Sequence, residues 1–233
     1  MKMIFLDEDV VAYKEYVEKN FPNSPLKNKD ELKKPVKRLF KCVKIVQLFS
    51  RIGINRDRQN ILDDLLQSIF DVLFSLSAYS DFNFNAALRS FSEQTMIFVV
   101  SLTTGVSELS NDELSKKKHV DLWNNYIKAS DLYMDPESKP ILDDMNNMFA
   151  RGSQVIHRDP NIVNKNNVDF LNDYFHNIDQ HKVLIIVQQI QKIDDAIQIL
   201  IYNKYLKCLS SDSLTMAQKF ELDELKKAIS QLK

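Results

Sequence analysis

Apolar residues recur along this chain at the three- and four-residue spacings of an α-helix, in long runs with few breaks. The clearest run is Val183, Ile186, Ile190, Ile193, Ile197 and Leu200, in steps of 3, 4, 3, 4 and 3. On a helix predicted over 180–207, such a seam is the core of a helical bundle or a subunit interface. Ile61, Leu62, Leu65, Leu66, Ile69, Phe70, Leu73 and Phe74 give a wide apolar face to a helix over 57–79. A helix over 85–104 becomes almost wholly apolar in its second half, which predicts a central position. A helix over 30–51 carries Leu32, Leu39, Phe40, Val43, Val46 and Leu48 behind Asp30 as an N-cap. Weaker patterns predict helices over 7–20, 111–133, 138–151, 168–178 and 213–232, with an Asn-rich loop over 160–167. Leu122, Trp123, Tyr126, Ile127 and Leu132 pack inward from 111–133; Phe220, Leu222, Leu225, Ile229 and Leu232 form the stripe of the last helix.

Composition sharpens this pattern. Three glycines and six prolines in 233 residues are too few for the many tight turns of a sheet protein. The fold expected is all-α: a helical bundle of long antiparallel helices. Residues 1–52 supply accessory N-terminal helices and 53–233 the bundle, together one compact unit. The net charge of −1, from 31 basic and 32 acidic residues, creates no global field toward nucleic acid or anionic lipid. Any such contact must come from a local patch. Cys42 and Cys208 stand far apart among apolar residues, which fits buried thiols in a reducing cytosol rather than a disulfide or zinc scaffold. Asp7, Glu8 and Asp9 cut off the apolar start of the chain before it reaches signal-peptide length. No apolar run is long enough to span a bilayer. The expectation is a cytoplasmic protein without a membrane partner.

Most catalytic chemistries lack their residues here. There is no Gly-rich phosphate loop and no Gly-x-Ser-x-Gly elbow. The pairs Asp63–Asp64, Asp143–Asp144 and Asp194–Asp195 are adjacent, so their side chains diverge on a helix and read as solvated. His176 and His181, five apart, complete no metal-ligand pattern and read as structural or exposed; His119, after three lysines, reads as exposed. No metal and no cofactor are expected. Lys33, Lys37, Lys41 and Lys44 on one helix could form a nucleic-acid-binding ridge. They could equally be the solvated face of an amphipathic helix, since they lack interleaved aromatics for base stacking.

The remaining chemistry lies in Met145 to Pro160, MNNMFARGSQVIHRDP. A fixed guanidinium at Arg151 can hold a phosphate, and His157 can move a proton near neutral pH. Together they suit attack of a 2′-hydroxyl on a phosphodiester, which needs no metal. Six residues on an unbroken helix place two side chains about 120° apart. Convergence therefore requires either a break at Gly152-Ser153 or a second subunit. If the helix instead runs through to Arg158, His157 sits in its last turn. Arg89 and Glu93, four apart on a helix expected to be buried, form a second polar pair.

Arg151-x5-His157 resembles the Arg-x4-6-His motif of HEPN domains, helical bundles found among prokaryotic toxins and phage-defence proteins. The layout is similar over residues 57–207: a helix with Leu-Arg-Ser-Phe-x-Glu (Leu88 to Glu93), a Trp/Tyr helix, then a histidine ending a later helix. The resemblance implies a metal-independent endoribonuclease acting on RNA, with Arg151 as phosphate binder, His157 as acid/base, and Arg89 and Glu93 supporting them. It also implies a homodimer with both pairs at a shared cleft. Active members often carry a polar residue straight after the arginine, where this chain has Gly152. The alternative is a non-catalytic interaction or regulatory module with a protein partner, such as an antitoxin or defence component. That reading rests on the 183–200 seam and the amphipathic tail.

Overall fold

Nearly every described stretch of the chain is helical, as the apolar periodicity requires. A computed structural model describes residues 4–22, 24, 26, 29–53, 58–103, 109–157, 180–209 and 214–232. The chain is all-α, with no strand among these residues. The helices are α1 (Ile4–Asn20), α2 (Lys33–Gly53), α3 (Gln59–Ser77), α4 (Asp81–Leu102), α5 (Asn111–Ser115), α6 (His119–Asp121), α7 (Asp131–Met134), α8 (Ser138–His157), α9 (Gln180–Ile197) and α10 (Met216–Leu232). A 3₁₀ turn, Asp30–Leu32, leads into α2. α6 continues as a π-helical stretch, Leu122–Ile127, and α9 as another, Gln198–Leu206. No described helix is long and apolar enough to cross a membrane.

The long helices close a ring. α2 packs on α3, α3 on α4, α4 on α8, α8 on α9, and α9 returns to α2, while α1 and α10 lie against α2. α2 therefore belongs to the bundle wall rather than to a separate layer. Its Leu39, Ile45, Val46 and Leu48 share one core with Leu65, Ile69, Phe91, Phe98, Ile190 and Leu225. The seam of α9 is consumed here: Val183, Ile186, Ile190, Ile193, Ile197 and Leu200 are all buried within the one chain. The wide stripe expected on α3 is narrower in fact. Phe70 and Phe74 are exposed, and Phe74 meets only the edge of Phe21, ring centroids 5.8 Å apart. Phe220 of α10 is likewise exposed, whereas Leu222, Leu225, Ile229 and Leu232 are buried.

Two expectations about helix continuity are corrected. The helix expected over 111–133 is three short pieces. Ser110 caps α5 with a reciprocal capping box to Glu113, and Ser130 caps α7 through Tyr133 N. These local caps compete with continuation of the helix. Conversely, α8 does not break at Gly152 but runs on to His157. The glycine serves close approach. A Cβ there would lie 2.7 Å from the Asn85 carbonyl oxygen and 2.7 Å from Arg89 Cβ, so α8 rests directly on α4. The 160–167 loop and the 168–178 helix lie outside the described residues.

Charge is also buried where solvated carboxylates were expected. Lys41 Nζ and Asp194 Oδ1 are 2.5 Å apart between α2 and α9, and both residues are buried. Gln198 Oε1 accepts a second bond from Lys41 at 3.3 Å, and the Cys42 thiol donates to Asp194 at 3.5 Å. Burial pushes that thiol well above its ordinary value. Cys208, expected buried, is exposed.

Gly152→Ala meets a backbone carbonyl that cannot swing aside, an overpacking cost of about 1–3 kcal/mol against about 1 kcal/mol of helix propensity gained. The expected outcome is a lower melting temperature by circular dichroism. Lys41→Met leaves the buried Asp194 with only the Arg38 guanidinium, 3.6 Å away, and should cost up to about 3–5 kcal/mol in urea denaturation. Adding Asp194→Leu should recover much of that loss.

Candidate functional site

Arg151 opens on a cleft of ≈ 520 Å³ between three helix segments. Asp81, Phe84, Asn85 and Leu88 line it from α4, at the spacing of one helical face. Met148, Arg151, Gln154 and Val155 form the α8 wall, and His181, Lys182, Ile185 and Gln189 the α9 wall. The floor is apolar and the rim polar, the usual makeup of a ligand pocket. Arg151 and His181 are exposed, and no ion pair engages the Arg151 guanidinium among the described residues. Across the cleft, Lys182 Nζ lies 2.8 Å from Asp81 Oδ2, and the Tyr79 hydroxyl donates to the other oxygen of Asp81. Gln189 is buried, at 9% exposure, yet its amide makes no hydrogen bond among the described residues.

The unbroken helix decides how Arg151 and His157 stand. Positions six apart on an unbroken helix such as α8 leave it about 120° away from each other. The side chain of His157 lies outside the described part, as do Arg158 and His176. Among the described residues, the histidine on Arg151's own cleft is His181.

Arg89 and Glu93 sit on the neighbouring face of α4 and line a different polar cluster. No ion pair joins them among the described residues. The Arg89 guanidinium carbon lies 5.0 Å from the centroid of Phe149, a cation–π contact. The His119 ring stacks on the same Phe149, centroids 3.5 Å apart and 3° from parallel. His119 Nε2 bonds Asn146 Oδ1 at 3.0 Å. His119 Nδ1, Arg89 Nε and Ser92 Oγ are buried without a hydrogen-bond partner among the described residues. His119 is thus buried rather than exposed. The three preceding lysines mask a usable signal, because His119 stands three and four residues before the buried Leu122 and Trp123.

The four lysines of the proposed ridge do not form one exposed surface. Lys41 points inward to Asp194. Lys37 Nζ is 2.5 Å from Asp7 and Lys44 Nζ is 3.0 Å from Asp9, so the acidic side of α1 covers them. Lys33 pairs with Asp30 at 2.7 Å on an open surface, a contact worth little to stability.

Burial holds the His119 imidazole below its ordinary value; the Asn146 bond and Glu93 act in the opposite sense, and Arg89 adds to the lowering. The folded state therefore favours the neutral ring, while the unfolded chain takes up its proton at about pH 6.5. Stability from this site is complete above that pH and falls below it. His119→Gln should flatten the drop in melting temperature between about pH 7.5 and about pH 5.5. An unchanged slope would assign the drop to other groups.

No family model matches this chain, and neither curated proteins nor solved structures yield a match.

Proposed function

We propose that the chain is a HEPN-like, metal-independent endoribonuclease of a prokaryotic defence or toxin–antitoxin system. The observation that supports this best is the Arg151 guanidinium, exposed and without a carboxylate partner among the described residues, at the mouth of a cleft whose rim also carries His181 and Lys182. A phosphodiester entering there would set its non-bridging oxygens against Arg151. The ribose 2′-hydroxyl would attack phosphorus, giving up its proton to a base. The 5′-oxygen would leave with a proton from an acid, and the products would be a 2′,3′-cyclic phosphate and a 5′-hydroxyl. His157 takes the acid/base role, with Arg89 and Glu93 supporting it through the α4–α8 contact. Because Arg151 and position 157 diverge on one helix, this reading requires a homodimer in which His157 of one copy serves Arg151 of another.

The second reading is a non-catalytic interaction module. It is favoured by Phe82, Leu184 and Ile185, exposed apolar residues around the same end of the bundle, at 45%, 53% and 40%. An apolar patch at this position fits a protein partner, such as an antitoxin or defence component, as well as it fits a second copy.

RNA cleavage in EDTA separates the two. Wild type should cut, and Arg151→Ala and His157→Ala should each lose activity by a factor of about 100 or more. An equal mixture of the two inactive variants should regain about a quarter of the wild-type rate, since a two-fold dimer of one chain of each kind restores one of its two shared sites. Recovery at zero would refute the shared site. Loss of activity in His181→Ala but not in His157→Ala would move the acid/base role to His181. A wild type that leaves RNA intact sinks the catalytic reading.

A further inference from the structure

We propose that the Arg151 cleft is a nucleotide subsite that takes one unstacked nucleobase of a single-stranded RNA, with Gln189 reading the hydrogen-bonding edge of the base. The inference rests on the ribonuclease reading for the identity of the polymer.

The case begins at the floor of the cleft. Gln189 is 9% exposed and lines the cleft beside Met148 and Leu88, and its amide has no bonded partner among the described residues. An amide held in place at a cleft and not engaged by the protein is free to bond a ligand that offers a donor and an acceptor side by side. A carboxamide and a nucleobase edge make that match, as in the paired bonds of Gln to adenine. Half-buried Tyr79 offers the cleft an aromatic surface, backed by the buried Phe84. Tyr79 and Phe84 both line the cleft, with ring centroids 5.8 Å apart and planes tilted by 46°. Base stacking on aromatic faces tolerates any sequence.

The rim suits the phosphate attached to such a base. Arg151 and His181 stand on facing walls, while Lys182 is held by Asp81 at 2.8 Å. The carboxylate of Asp81 also accepts from Tyr79, so its charge is engaged away from the entering anion. The volume of ≈ 520 Å³ lies within the range of pockets that hold ligands the size of a nucleotide.

The test is fluorescence anisotropy with a fluorescein-labelled octamer of 2′-O-methyl adenosine, which lacks the attacking hydroxyl, beside an octamer of abasic 2′-O-methyl residues. Wild type should bind the adenine octamer about tenfold or more tighter than the abasic one. Gln189→Leu should weaken only the adenine octamer, and Arg151→Ala should weaken both alike. Gln189→Glu, of the same shape, serves as a second variant should Gln189→Leu fail to fold, and should likewise narrow the gap between the octamers. Equal binding of the two octamers by wild type, or a preference unchanged in folded Gln189 variants, overturns the subsite. Cleavage of unmethylated RNA in EDTA is scored separately. Base-dependent binding without cleavage sinks the ribonuclease reading and keeps the subsite; cleavage without base-dependent binding does the reverse.

Discussion

The contact of α8 on the backbone of α4 at Gly152 sets the geometry on which the rest depends. Helices packed through ordinary side chains keep their axes about 8–10 Å apart. At Gly152 only a hydrogen separates α8 from the Asn85 carbonyl and the Arg89 stem. Two consequences follow on two flanks. On one, Met148, Arg151 and Val155 are drawn down beside Phe84 and Leu88 and make the cleft wall. On the other, Asn146 and Phe149 reach His119 and Arg89. Of the two courses open to the chain at Gly152, a break or a continuous helix, the close packing goes with the second: the helix passes unbroken over its neighbour.

Charge is distributed to the same effect. On α2, Lys37, Lys41 and Lys44 meet carboxylates from α1 and α9, so the open lysine surface of this helix is confined to its first turn, at Lys33 and Lys34. The Lys41–Asp194 pair sits where α2 and α9 close the ring, tied further to Gln198 and Cys42. Desolvating both groups makes such a pair a poor source of net stability but a severe penalty for mispairing, which favours one register between the two helices. Arg151, which forms no ion pair among the described residues, keeps its charge available at the cleft.

The all-α class and the helices over α2, α3, α4 and α9 were legible because their burial follows a single period. All six residues of the α9 seam are in the core. What spacing encodes is a face, not the neighbour on that face. Hence the seam gave no sign of whether its partner was α2 and α8 of the same chain or another copy. Lys41 and Asp194, 153 positions apart in the chain, each look like surface charges until the fold joins them. His119 was hidden by its lysine neighbours. The three pieces within 111–133 were hidden because serine caps act locally against a weak apolar stripe. Gln189 lies outside the seam in a helix that reads as structural throughout, and only the third dimension shows that its amide faces a cleft.

The continuity of α8 also limits what an arginine–histidine spacing can mean. In a loop, six residues can fold back and bring both groups to one phosphate. On a helix they rise about 9 Å and turn about 120°, too far for both to touch one phosphate from the same strand of backbone. A motif on an unbroken helix is therefore half of a site, and its completion must come from elsewhere. For Arg151 the groups already across the cleft are His181 and Lys182 of α9, and position 157 becomes relevant only if a second copy brings it there. The apolar Phe82, Leu184 and Ile185 around that end of the bundle supply surface such a copy could cover. The reach of the cleft and the oligomeric state are thus one question, because the same end of the bundle carries both.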